Sequence, residues 1–164
     1  MTDRSPDLFD KVRLPPEVDE HLRDLNPWWQ GLPGRVLPSY RRWVFATMLR
    51  RLDAQVAPAI VLRGARQVGK TTLQEQTIQY LLTERRVDAR RILRVQFDEL
   101  PTLRGMETPI LAIVRWYQSR ILGRTLNEAA HAGEPVYVFL DEVQNLPDWA
   151  PQLKALVDHH TLQV

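Results

Sequence analysis

Gly64-Ala65-Arg66-Gln67-Val68-Gly69-Lys70-Thr71 is the stretch from which the rest of the sequence is read. Two glycines, a lysine and a hydroxyl residue occupy the fixed positions of a P-loop. Gly64 and Gly69 allow backbone angles at which successive N–H groups converge on phosphate oxygens. Lys70 is expected to reach the terminal phosphates, and the Thr71 hydroxyl suits the oxygen shell of Mg2+. With Thr72, the run from Gly64 to Thr71 makes up the expected phosphate contact. The flanks agree with this reading. Ala59 to Leu62 is a short apolar run that reads as a buried strand. Thr71 to Leu82 reads as a helix with Leu73, Tyr80 and Leu81 on its apolar face, and the positive end of that helix adds to the field at the loop.

The second motif lies downstream, in Val136-Tyr-Val-Phe-Leu-Asp-Glu142. A hydrophobic strand ending in two acids is the expected partner of such a loop. Asp141 would hold magnesium through its waters, and Glu142 would orient and deprotonate an attacking water. A glutamate in that position favours attack by water over transfer to a bound acceptor.

Strands and helices alternate around the two motifs. Ser39 is a plausible N-cap for a helix carrying Val44, Met48, Leu52 and Val56, which Pro58 stops. Arg85 to Arg91 is a charged turn, and Ile92 to Phe97 reads as a strand closed by Asp98 and Glu99. Thr108-Pro109 starts a helix with Ile110, Ile113, Val114, Tyr117 and Ile121 in its stripe and Gly123 at its end. A short helix follows over Leu126 to Ala132. Val136 to Leu140 is the most strand-like run, and Asp148 caps a last helix striped by Trp149, Leu153, Leu156 and Val157. The alternation argues for an α/β fold with a parallel sheet.

Residues 1–38 hold six prolines and read as an irregular N-terminal arm, which leaves 39–164 as the P-loop domain. Within the arm, Asn26-Pro27-Trp28-Trp29 places two large aromatics in a polar setting. At least one of them is expected to pack on the domain, as a structural clasp or as a surface for a nucleobase or partner.

At 164 residues the chain suits one domain, and its 44% apolar and 26% charged content is that of a globular protein. The net charge of +2 demands neither nucleic acid nor membrane as partner. Among 22 basic residues only Lys11, Lys70 and Lys154 are lysines, which a positively charged binding face or the codon bias of a GC-rich genome would explain. The absence of cysteine excludes disulfides and thiolate metal sites, and a cytoplasmic location fits it. No run approaches the roughly 18 apolar residues of a membrane span.

Several other residues are candidates for lesser roles. Arg66 could touch phosphate or form a salt bridge outside the loop. Gln144 and Asn145 could sense the terminal phosphate. Arg41 and Arg42 read as a solvated helix start, and Asp98 as a helix or turn cap. His159-His160 lack the spacing for joint metal binding on a helix.

Taken together, Asn26-Pro-Trp-Trp29, Arg63-Gly-Ala-Arg-Gln-Val-Gly-Lys-Thr-Thr72 and Phe139-Leu-Asp-Glu-Val-Gln144, followed by Trp149 and Leu153-Lys154, resemble one group. These are the bacterial and archaeal AAA-type ATPases with an uncharacterised C-terminal domain after the ATPase module. The resemblance spans roughly residues 24–164. It implies a three-layer P-loop NTPase sheet of the additional-strand, catalytic-glutamate type, with strands ordered 5-1-4-3-2. Against that pattern, Thr161-Leu-Gln-Val164 corresponds to the start of the fourth strand, so the fourth and fifth core strands are expected to be missing and the sheet incomplete at its C-terminus. The edge so exposed could take a protein partner or a second copy. The leading expectation is an ATP-binding module that uses Mg2+ and hydrolyses ATP in the complete protein. A small-molecule kinase, a nucleotide-controlled nucleic-acid-binding switch supported by the arginine pairs at 41–42, 50–51, 85–86 and 90–91, and a non-hydrolysing ATPase remnant are the alternatives.

Overall fold

Two parallel strands, β1 (Ile92–Gln96) and β2 (Tyr137–Asp141), pair in register from Ile92 with Tyr137 to Gln96 with Asp141. The computed structural model describes residues 12–55, 59–65, 67–160 and 164. Alternate side chains of the strands leave opposite faces, as a pleated strand requires. Leu93, Val95 and Val138 enter the larger core, while Ile92 and Phe139 enter a smaller one. Parallel strands are usually apolar on both faces, but the face of β1 that carries Ile92 also carries Arg94 and Gln96, Arg94 pairing with Glu75 at 3.3 Å.

The larger core is supplied by helices α1 (Pro16–Leu25), α5 (Pro109–Tyr117), α6 (Leu126–His131) and α7 (Trp149–His159), and by the short α4 (Pro101–Arg104). Ile110, Ile113 and Tyr117 of the expected stripe of α5 are fully buried. Thr108 precedes Pro109 at the first helical position, a π turn over Gln118–Leu122 extends the helix, and Gly123 ends it at a φ of 73°. Gln152 of α7 pins α5 in place, its buried Oε1 accepting the N–H of Ile110 at 2.9 Å. On the other face lies α3 (Lys70–Thr83), whose Ile78 and Leu81 meet Ile92 and Phe139. Helix α2 (Trp43–Ala54) packs on α3, with the Phe45 and Tyr80 rings edge to face at 5.9 Å.

Several elements differ from expectation. The stretch read as an irregular arm contains α1, which places Val18 and Leu22 in the core with no exposure. Pro16 stands in its first turn, where a missing N–H costs nothing. Helix α2 starts at Trp43 after Arg42, so Ser39 is not its cap. Instead Gln76 of α3 donates to the carbonyls of Pro38 and Tyr40, which ties that segment to α3. Asp98 caps no helix, since α4 follows Leu100. Asp148 precedes α7 but sits at a φ of 54° and its side chain makes no capping bond. Among the described residues, Ala59 to Leu62 does not join the sheet. Ile60 N–H donates to the Val164 carbonyl at 2.8 Å, and residues 161–163, expected to begin the fourth strand, lie outside the described residues. Among the described residues the sheet has two strands, so the wider strand order is not seen there.

The arm shields the outer edge of β1. The Asn26 side chain bonds both backbone groups of Arg94, and the indole N–H groups of Trp28 and Trp29 both donate to the Ile92 carbonyl, at 3.2 and 2.9 Å. The two adjacent tryptophans separate beyond that point. Trp28 packs with the smaller core, while Trp29 stacks on Tyr117 at 5.9 Å and contacts Trp116 at 6.1 Å.

Candidate functional site

The loop between residue 63 and α3 takes left-handed backbone angles at two described positions and is tightly packed at a third. Gln67 and Gly69 have φ values of 59° and 85°, and a Cβ on Gly64 would lie 3.2 Å from the Val68 side chain. The left-handed region strains most side chains and suits glycine, which explains Gly69. The loop runs directly into α3, whose first backbone bond is Leu73 N–H to the Gly69 carbonyl at 3.0 Å. The unpaired N–H groups of a helix's first turn and its dipole therefore stand at the loop. Lys70 is folded back over it, its Nζ donating to the carbonyls of Gly64 at 3.0 Å and Ala65 at 2.8 Å. Ala65, Gln67 and Val68 are exposed, and Thr71 and Thr72 half-buried. Arg66 lies outside the described residues.

Thr71 meets the end of β2. Its hydroxyl donates to Asp141 Oδ2 at 2.6 Å, while Asp141 Oδ1 accepts the Glu142 N–H at 3.1 Å. Asp141 is buried, at 4% exposure, and the bonds to its two oxygens offset part of the cost of burying a carboxyl group. Its backbone carbonyl accepts from Phe97, which extends the pairing of β1 and β2 to that point. Glu142 turns away from the strand at a φ of 54°, half-buried, and its Oε2 accepts from the Gln144 amide. The structure thus brings Lys70, Thr71, Asp141, Glu142 and Gln144 to one end of the sheet. Beside them opens a cleft of about 410 Å³ lined by Ile60, Leu62, Lys70, Gln74, Asp141 and Glu142.

Two residues of this site were not anticipated in that role. Gln74 stands one turn after Lys70, and its amide donates to the Leu140 carbonyl at 3.1 Å, while its buried Oε1 has no partner among the described residues. The i to i+4 spacing from Lys70 was the available signal. Arg42 was read as a solvated helix start. It is exposed, yet its Nη1 donates to the Val68 carbonyl at 2.7 Å and its Cζ lies 3.9 Å from where a Cβ on Gly69 would stand. Contacts across 26 residues leave no local pattern in a sequence.

Arg41, Arg85, Arg90 and Arg91 are engaged elsewhere. Arg41 pairs with Glu84 and lies over the Phe45 ring, and Arg85 grips both oxygens of Asp53 at 2.7 Å. Arg90 pairs with Asp88, and Arg91 donates twice to the Pro135 carbonyl. Hydrogen bonding from the Arg90 backbone holds the Asp88 carboxyl below its ordinary range. No helix of the described residues is long and apolar enough to cross a membrane.

Comparison with known proteins gives one family. Residues 56–164, more than half of the chain, match a family model described as an AAA domain. No curated protein and no solved structure gives a significant match.

Proposed function

We propose, for a chain that belongs to the AAA domain family, that it binds Mg-ATP through residues 64–72 and serves as an ATP-hydrolysing module. Membership makes it a nucleotide-binding, ATPase-like module; the metal, the hydrolysis and the roles of single residues are our inference. The observation that carries the reading is the 2.6 Å bond from Thr71 to Asp141, which joins the start of the P-loop helix to the acidic end of β2.

In this reading the backbone N–H groups of the loop and first turn of α3 hold the phosphates. Lys70 leaves the carbonyls of Gly64 and Ala65 and turns to the terminal phosphates. Thr71 and Asp141 supply hard oxygen donors of the type Mg2+ takes, and they already lie within hydrogen-bond distance of each other. When bound, Mg2+ offsets the charge of the phosphate oxygens. Glu142 accepts a proton from water as the water oxygen attacks the terminal phosphorus. The bridging oxygen then departs with ADP, and inorganic phosphate is released. Gln144, bonded to Glu142, holds that carboxylate in place until water binds.

The test pairs two variants. Lys70→Ala is expected to abolish saturable binding of a fluorescent ATP analogue in the presence of magnesium. Glu142→Gln is expected to retain binding while phosphate release falls by about a hundredfold or more. Unaltered binding by Lys70→Ala, in a folded sample, contradicts the reading.

A further inference from the structure

A residue well upstream holds the loop from outside. Arg42 Nη1 donates to the Val68 carbonyl at 2.7 Å, and the rest of the guanidinium lies against Gly69, with Cζ 3.9 Å and Nη2 4.0 Å from where a Cβ would stand. Among the described residues no carboxylate pairs with Arg42, whereas Arg41 and Arg85 each have one. The backbone that carries Arg42 is fixed by the same helix that the loop opens. Gln76 of α3 donates to the carbonyls of Pro38 and Tyr40, and α2, which starts directly after Arg42, packs on α3 through Phe45 and Tyr80. Arg42 also precedes residues 56–164, the part of the chain that matches the family.

The bond to Val68 sets a direction as well as a position. The Val68 carbonyl and the Gly69 N–H belong to one trans peptide unit, in which the two groups point to opposite sides. With the carbonyl held toward Arg42, the Gly69 N–H points away from it, and among the described residues none accepts that N–H. Gly69, at a φ of 85°, is of the residue type that takes left- and right-handed backbone angles about equally well, so an outside bond is needed to keep this peptide from turning over.

We propose that Arg42 is a positioning residue for phosphate binding, holding the Val68 carbonyl outward so that the Gly69 N–H stays aimed at the phosphates. The inference rests on the reading of residues 64–72 as a phosphate cradle. Without nucleotide, Lys70 also braces the loop, through the carbonyls of Gly64 and Ala65. Those bonds are given up when Lys70 turns to the terminal phosphates, and the bond from Arg42 is the one that then keeps the loop in shape.

Amide NMR and calorimetry on the whole chain test this, with Arg42→Ala and Arg42→Lys beside the wild type. In the nucleotide-free chain, Arg42→Ala is expected to shift the Gly69 amide and lower its heteronuclear NOE while circular dichroism stays unchanged. With magnesium, the same variant is expected to weaken a β,γ-non-hydrolysable ATP analogue and inorganic tripolyphosphate alike, by about tenfold. The loss is expected to persist at about 0.5 M salt, where a long-range effect of charge alone is screened. Arg42→Lys, which keeps a cation and an N–H donor, is expected to restore most of the affinity. An unmoved Gly69 amide in Arg42→Ala overturns the proposal, as does unchanged affinity for tripolyphosphate or a loss that disappears in high salt. If the folded wild-type chain binds neither ligand, the cradle reading itself is wrong and the role of Arg42 falls with it; wild-type binding beside an unmoved Gly69 amide in the variant removes the role of Arg42 alone.

Discussion

The Asn26 side chain stands in for a neighbouring strand beside Arg94. Its Oδ1 accepts the Arg94 N–H at 2.7 Å, and its Nδ2 donates to the Arg94 carbonyl at 2.9 Å and to the Leu22 carbonyl at 2.7 Å. An amide group carries the same donor and acceptor as a peptide unit, so one side chain completes the pairing of an edge residue. With the two indole N–H groups on Ile92, it leaves little of the β1 edge free to pair with another chain. The Asn-Pro-Trp-Trp run thus works through its hydrogen bonds as much as through its apolar area.

Asn26→Ala strands the buried backbone groups of Arg94 and the Leu22 carbonyl. Each stranded group costs about 1–3 kcal/mol, so the variant is expected to lose several-fold more stability than a surface substitution. Asn26→Asp keeps the acceptor for the Arg94 N–H but sets a buried carboxyl oxygen against the Arg94 and Leu22 carbonyls, and is expected to lose at least as much as Asn26→Ala. Urea unfolding of the three chains gives the order.

Leu22→Ala tests whether α1 belongs to the core. Leu22 is fully buried among residues of β1 and α5, and removing such a side chain typically costs about 2–5 kcal/mol. An arm lying loosely on the surface would show a change near zero in the same denaturation experiment.

A pH-dependent contribution is expected at the start of α6. Thr125 and Glu128 form a capping box, and hydrogen bonds from the Thr125 backbone N–H and then its hydroxyl hold the Glu128 carboxyl below its ordinary range. Because the folded value lies below the unfolded one, the stabilisation is complete above the unfolded carboxylate range. It is lost as pH falls through the folded value. Thr125→Ala removes the hydroxyl partner, so the Glu128 titration followed by NMR is expected to move upward toward the ordinary carboxylate value.

Thr71→Val and Asp141→Asn probe one contact from both sides. Each is expected to weaken magnesium-dependent nucleotide binding, and the double variant to lose less than the sum, with a coupling of roughly 0.5–3 kcal/mol. Strict additivity in the double-mutant cycle would separate the two residues in function.

Much of this site was legible because its residues are contiguous. Gly64 to Thr72 and Tyr137 to Glu142 are each read from a single run, and a helix after the loop follows from the residues beyond Lys70. Helix α5 was equally plain, from Pro109 and a four-residue apolar rhythm. Helix α1 was obscured by prolines, although Leu14, Val18 and Leu22 repeat at helical spacing and all three are buried. Arg42 could not be read at all, since its loop partner Val68 is brought to it only by the packing of α2 on α3. Ala59 to Leu62, read as a buried strand, is not a strand among the described residues: Val61 is exposed, and the neighbour expected for it, residues 161–163, lies outside them.

The most direct test of the phosphate cradle is backbone amide NMR of the chain titrated with the non-hydrolysable ATP analogue and magnesium. The account predicts that the amides of Gly64 to Thr72 undergo the largest saturable shifts, and that these vanish in Lys70→Ala. Saturable shifts confined to other residues, with those of the loop unmoved, would contradict it.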